Sequence, residues 1–215
     1  MDCKYILFDL DGTLTDPFEG ITKSFQYALR AYGIEKKQEE LLCVIGPPLI
    51  DSFMDFFGFD EETGMEAVAK YRERFSVVGW QENKLLCGVP EMLEALKKEG
   101  KIVALATAKP EVFARKIIEK FGISQYFDVV SGATLDGKIG TKTQVMKKAL
   151  EMLGNPSPNE VVMVGDRDND VSGAKECGVR CIGVRVGYAL EGELEEAGAD
   201  YIIDTIDELK EFLIK

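Results

Sequence analysis

The chain has 215 residues, 46% of them hydrophobic, with a formal net charge of -12 and no histidine. That apolar content suffices for one buried core, alone or with a small lid, and no apolar run approaches the length of a membrane span. The acidity argues against a nucleic-acid partner, and the missing histidine removes histidine nucleophiles, Ser-His-Asp triads and two-histidine metalloprotease motifs.

Tyr5-Ile6-Leu7-Phe8 is apolar on both faces, so a strand over residues 4–10 belongs inside a parallel sheet. It runs into Asp9-Leu10-Asp11-Gly12-Thr13, where a carboxylate pair has little structural purpose. Side chains at i and i+2 of an extended segment point the same way, so Asp9 and Asp11 can converge on one pocket while Gly12 permits a sharp turn. Two like charges that close need a cation. The ordinary alternative is a turn or helix start written with Asp, Gly and Thr.

A mostly helical insert follows. Ile21, Phe25, Ala28, Leu29 and Tyr32 recur at helical spacing until Gly33, and Gly46-Pro47-Pro48 forces a break. Met65, Val68, Ala69, Arg72 and Phe75 predict a further helix after Asp60. The aromatic group Phe53, Phe56, Phe57 and Phe59 is assigned to packing among these helices rather than to substrate contact. From Val89 onward, helix and strand signals alternate: helix 90–99, strand 102–106, helix 110–120, strand 127–131, helix 142–153, strand 161–164, helix 169–176, strand 180–185, helix 190–197, strand 201–203 and helix 206–213. This is an α/β pattern with an insert. Val103-Ala104-Leu105-Ala106 leads into Thr107, and Val161-Val162-Met163-Val164 leads through Gly165 into Asp166. Three strand ends thus carry polar residues, where open α/β sheets bind their ligands.

Two near misses are set aside. Gly132-Ala133-Thr134-Leu135-Asp136-Gly137-Lys138 imitates a nucleotide-binding loop, but Ile139 stands where Ser or Thr is required. Asp166-Arg167-Asp168-Asn169-Asp170 imitates a calcium loop, but Val171 and Cys177 replace its glycine and its final glutamate. Cys3, Cys43, Cys87, Cys177 and Cys181 form an odd set without Cys-x-x-Cys and read as small core residues; none is followed by Arg six positions later, so the cysteine-phosphatase loop is missing. The N-terminus shows no basic segment leading into a signal sequence, which makes the cytoplasm the expected location.

Taken in order, Asp9-Leu10-Asp11-Gly12-Thr13-Leu14-Thr15-Asp16, then Thr107, then Lys142, then Gly165-Asp166-Arg167-Asp168-Asn169-Asp170 resemble the four motifs of the haloacid dehalogenase superfamily. The resemblance covers essentially the whole chain. It is closest to the phosphatase branch that includes phosphoglycolate phosphatases and 5'-nucleotidases, because a helical insert follows the first motif. It implies a doubly wound, Rossmann-like parallel sheet over residues 1–16 and 84–215. Residues 17–83 would form an α-helical cap that closes over the pocket, with hinges between Thr15 and Pro17 and near Asn83 to Gly88.

The resemblance also implies a reaction. Asp9 is the expected nucleophile, attacking phosphorus to give an aspartyl-phosphate that water hydrolyses. Asp11 would protonate the departing oxygen and then accept a proton from the attacking water. Mg2+ is the expected cofactor, held by Asp9, the backbone carbonyl of Asp11 and Asp166, with Asp170 a further candidate; Asp168 is assigned to helix capping. The Thr107 hydroxyl, the Ala108 amide and Lys142 would bind the phosphoryl group. A cation in the first helical turn after a Thr141 cap opposes the helix dipole, and a bound anion reverses that sign. Lys138 competes for the role of Lys142. The expected substrate is a small soluble phosphate monoester, phosphoglycolate-like or a nucleoside 5'-monophosphate, with specificity sought first at Lys23, Arg30 and the Gly46-Pro47-Pro48 turn. A sugar phosphomutase, a pyrophosphatase and a non-catalytic phosphate-binding module remain as alternatives. The expected partner is thus a phosphorylated metabolite, not nucleic acid or membrane, met by a monomer or homodimer.

Overall fold

The computed structural model describes residues 3–215. Strand β1 is Tyr5–Phe8, and its Ile6, Leu7 and Phe8 are fully buried, as an all-apolar strand inside a sheet requires. The chain divides into two compact units, one of residues through Asp16 together with Leu85–Lys215, the other Pro17–Lys84.

The second unit contains helices α1 (Phe18–Arg30), α2 (Leu49–Phe57) and α3 (Glu61–Phe75). Asp60 caps α3 by accepting the Thr63 amide hydrogen at 2.8 Å. Phe25 of α1 meets Phe53 of α2 at 4.7 Å and Tyr71 of α3 at 5.1 Å between ring centroids, while Phe59 stacks on Phe53 at 5.9 Å. Phe53 and Phe57 share this cluster, but Phe56 is 47% exposed. The buried stripe of α3 is Gly64, Ala67, Val68, Tyr71 and Phe75. Val68 and Phe75 lie where the sequence pattern puts them, whereas Met65, Ala69 and Arg72 do not belong to that stripe. Met65 lies 59% exposed, and the close approach to α2 falls instead at Gly64, where a Cβ would lie 2.8 Å from Ile50 Cδ1.

Arg74 binds Glu82 through both guanidinium arms, at 2.7 and 2.9 Å, and Lys23 lies 3.4 Å from the same carboxylate. The Arg74 contact holds the Glu82 carboxyl below its ordinary range. A depressed folded-state pKa gives stability that is present above the ordinary glutamate value and lost as pH falls through the lowered one. Glu82→Gln is therefore expected to cost about 1 kcal/mol at neutral pH after solvent screening, and nothing in strong acid. Urea unfolding of both proteins across that range checks this; a cost unchanged by acid would assign the effect to packing.

In the first unit, helix α4 (Val89–Lys98) precedes strand β2 (Ile102–Pro110), and α5 (Glu111–Lys120) precedes β3 (Val129–Ala133). Then follow α6 (Lys142–Met152), β4 (Val161–Gly165), α7 (Asp168–Cys177), β5 (Arg180–Val184), α8 (Glu193–Ala197), β6 (Tyr201–Ile203) and α9 (Ile206–Ile214). All six strands run parallel in the order β3-β2-β1-β4-β5-β6, so the fold is a doubly wound α/β sheet. Leu7, Ala104, Ala106, Met163 and Cys181 cover one face and pack with Met146 and Ala149 of α6, Val171 and Ala174 of α7, and Leu194 of α8.

Cys3 and Cys181 are buried, Cys43 and Cys177 half-buried, and Cys87 exposed in the segment leading to α4, so the reading of all five as core residues fails at Cys87. Among the described residues no helix is long and apolar enough to cross a membrane.

Candidate active site

The parallel register places Phe8 beside Leu105 of β2 and Val164 of β4. Asp9, Thr107 and Asp166 therefore leave the sheet along one edge, where strand order reverses. The Asp9 amide still donates to the Val164 carbonyl at 2.9 Å. Beyond it the chain coils tightly: the Leu14 and Thr15 amides both donate to the Leu10 carbonyl at 2.9 Å, and the Gly12 amide to the Thr15 carbonyl at 2.7 Å. Gly12 has φ +81°, and a Cβ there would lie 2.1 Å from Asp166 Oδ2; a Cβ on Gly187 would lie equally close to the same oxygen. Two glycines thus form a cradle that admits the Asp166 carboxylate against the turn.

Asp166 is 1% exposed. Its Oδ1 accepts from the Thr13 hydroxyl at 3.3 Å and its Oδ2 from the Tyr188 amide at 2.7 Å. Asp170, in the first turn of α7, accepts the Arg167 amide hydrogen on Oδ2 at 3.1 Å. At the start of α6 the Thr141 hydroxyl accepts from the Gln144 amide at 3.3 Å, and the Gln144 side chain accepts from the Thr141 amide at 3.1 Å. That capping box fixes the helix start without help from Lys142. The lysine instead turns inward, with Nζ 2.7 Å from Asp9 Oδ1, 2.7 Å from Asp170 Oδ1 and 3.4 Å from the Ala106 carbonyl.

Asp9, Asp166 and Asp170 each offer an oxygen within 4.8 Å of the others, and all three are buried. Three carboxylates against the single Lys142 ammonium leave a surplus of two negative charges. Burial, followed by the charges of Asp170 and Asp9, pushes Asp166 well above the usual carboxylate range. Burial likewise raises Asp170, with Lys142 opposing it. Burial alone would lower the Lys142 ammonium pKa, but Asp170 and Asp9 outweigh it and hold the lysine above its ordinary value. An all-oxygen donor set with that surplus fits a hard divalent cation such as Mg2+.

Asp11 makes a second buried contact: Lys109 Nζ lies 2.7 Å from its Oδ2. Its Oδ1 is buried and has no hydrogen-bond partner within the protein. Burial raises the Asp11 pKa more than Lys109 lowers it, and Asp9 adds to the rise.

The sequence pattern of haloacid dehalogenase-like hydrolases matches residues 6–184. The chain belongs to this family. Among its relatives is a 5'-nucleotidase of Pseudomonas aeruginosa, 47% identical over 190 residues that make up 88% of this chain and 86% of the relative. A tyrosine-protein kinase, PtkA of Mycobacterium tuberculosis, is 39% identical over 98% of this chain and 72% of its own length. A crystal structure described as a predicted phosphatase from Clostridium acetobutylicum superposes with a TM-score of 0.96 at 43% identity, covering 100% of this chain and 99% of that one. The protein is a haloacid dehalogenase-like hydrolase acting on phosphate esters.

Thr107 is buried and its Oγ1 accepts the Lys109 amide hydrogen at 3.2 Å, while Ala108 between them is half-buried. Lys138 does not compete with Lys142: its side chain is 83% exposed and pairs with Asp136 at 3.0 Å. Asp168 is exposed and does not cap α7 with its side chain; Asp170 takes the Arg167 amide, and Glu193 accepts from the Asp168 amide at 2.9 Å. Sequence reading missed Lys109, Thr13 and the Gly187-Tyr188 segment. The Tyr188 hydroxyl donates to Asp16 Oδ1, so this loop ties Asp166 to the end of the first motif. No local spacing marks Lys109, because the register shift between Thr107 and Pro110 interrupts the alternation that would orient it.

Proposed function

We propose that the protein is a Mg2+-dependent phosphatase that hydrolyses a small phosphate monoester through an aspartyl-phosphate on Asp9. One observation carries this reading: the Asp9 carboxylate sits against a buried ammonium and two further carboxylates, while beside it Asp11 keeps an oxygen free of protein partners. Asp9, Asp166 and the Asp11 carbonyl would hold the cation, with Asp170 completing the acidic group. Bound there, Mg2+ supplies charge neutralisation for an anionic substrate. The chain's own groups do the rest. Asp9 attacks phosphorus; Thr107 and the Ala108 amide donate to the phosphoryl oxygens; Lys142 neutralises charge on that group and on the nucleophile. Asp11, whose carboxyl is held above its ordinary pKa by burial, gives a proton to the leaving oxygen and later takes one from water.

The 47% identical 5'-nucleotidase supports nucleoside 5'-monophosphates as the first substrates to test, with phosphoglycolate beside them. The formal net charge of -12 supports a small ligand over a polyanionic macromolecule. Phosphate release from such a panel is expected with Mg2+, to disappear with chelator and to return when Mg2+ is restored. Release that survives exhaustive chelation refutes the metal assignment; no release from any ester refutes the phosphatase assignment. The kinase relative favours one other fate of the same phosphoryl group, transfer to a tyrosine. Phosphotyrosine appearing from ATP without free phosphate would establish that reading.

A further inference from the structure

Strand β2 does not end evenly. Thr107 pairs with Gly132 of β3, yet Pro110 pairs with the very next residue, Ala133, so the register shifts between them. This is a bulge, a device that re-aims a side chain beside a functional site. Gly132 is what permits it: a Cβ there would come within 2.6 Å of Glu111 Cα and 2.8 Å of the Lys109 carbonyl oxygen. The re-aimed side chain is Lys109, 8% exposed, which lies against Asp11 Oδ2. A lysine is buried only when paired. Here the pairing engages one oxygen of Asp11 and leaves the other, Oδ1, without a protein partner.

The geometry points to Lys109 as the positioning residue that decides which oxygen of Asp11 carries the transferred proton. It occupies Oδ2 and so presents Oδ1 to the substrate. As the bond from Asp9 to phosphorus forms and the bond from phosphorus to the ester oxygen breaks, the proton on Oδ1 passes to that oxygen. Asp11 is left as a carboxylate facing an ammonium that keeps all its protons. The same residue's amide occupies a lone pair of Thr107 Oγ1, which directs the threonine O–H outward as a donor. This inference rests on the assignment of Asp11 as proton donor.

The test uses two esters. An alkyl phosphate expels an alkoxide that needs a proton, whereas 4-nitrophenyl phosphate expels a stable anion that does not. The parameter is kcat/KM, which covers steps only through departure of the leaving group. Lys109→Met is expected to lower kcat/KM for the alkyl ester on the order of 10²-fold, to leave the aryl ester nearly unchanged, and to be largely rescued by Lys109→Arg. Equal losses on both esters, or no loss on either, overturn the inference, since a merely structural lysine does not distinguish leaving groups. If Lys109→Met fails to fold, Lys109→Gln carries the same comparison. Wild type inactive on both esters overturns the phosphatase reading itself, and this inference with it.

Discussion

Asp9→Asn is expected to lower kcat for phosphate release on the order of 10⁴-fold or more while the protein stays folded. The amide has nearly the shape of the carboxylate but no nucleophilic oxygen, so the covalent step is lost outright. Folding survives for an electrostatic reason. Lys142 keeps Asp170 as its partner at 2.7 Å, and the surplus of negative charge in the buried group falls from two to one. Metal-free protein is therefore expected to lose none of its thermal stability and to gain a little from relieved repulsion. Acid quenching of wild type during turnover is expected to leave one phosphoryl group on the peptide that contains Asp9, and none on the variant. A variant that keeps substantial turnover, or a phosphoryl group found on another peptide, ends the assignment of Asp9.

The two central strands β1 and β4 were legible because each is apolar on both faces: Ile6, Leu7, Phe8, Val162, Met163 and Val164 are all fully buried, and only a sheet covered on two sides demands that. The insert was less legible. Its nine-residue α2 follows Pro48 directly and is too short to display a period, and the inner face of α3 joins Val68 and Phe75 with Gly64, Ala67 and Tyr71, of which the glycine gives no apolar signal. The polar strand ends could be marked from sequence, but not what surrounds them. Asp166 is held by Thr13 from the first motif and by the Tyr188 amide from a later loop. The two glycines that admit it have no meaning until the turn and that loop are folded together. The direction of Lys109 depends on a register shift against a neighbouring strand. Each of these is a long-range property, fixed by pairing partners that local spacing does not specify.

Lys142→Met is the substitution for which folding and metal binding are expected to diverge. The wild-type side chain is 3% exposed and reaches two carboxylates at 2.7 Å. Removing its charge raises the surplus in the buried group from two to three, and breaking such a pair costs about 3–5 kcal/mol because the carboxylates stay buried unpaired. Two routes relieve that cost. A divalent cation binds the folded state alone and stabilises it by mass action, so Mg2+ is expected to recover more stability in the variant than in wild type. Protonation is the other route. Burial already raises Asp170, and without Lys142 opposing it the folded-state pKa rises further. A carboxyl with a raised folded-state pKa destabilises above that pKa, so the variant is expected to gain on wild type as pH falls. Wild type is expected to show a weaker trend of the same sign, because burial already raises Asp166 and Asp170 while the raised pKa of Lys142 keeps its own contribution complete up to the ordinary lysine range. Urea unfolding of both proteins, with chelator or with Mg2+ and at two pH values, separates these effects. An equal loss under all four conditions would mean that Lys142 supports the fold through its aliphatic stem and that the carboxylates beneath it do not form a cation site.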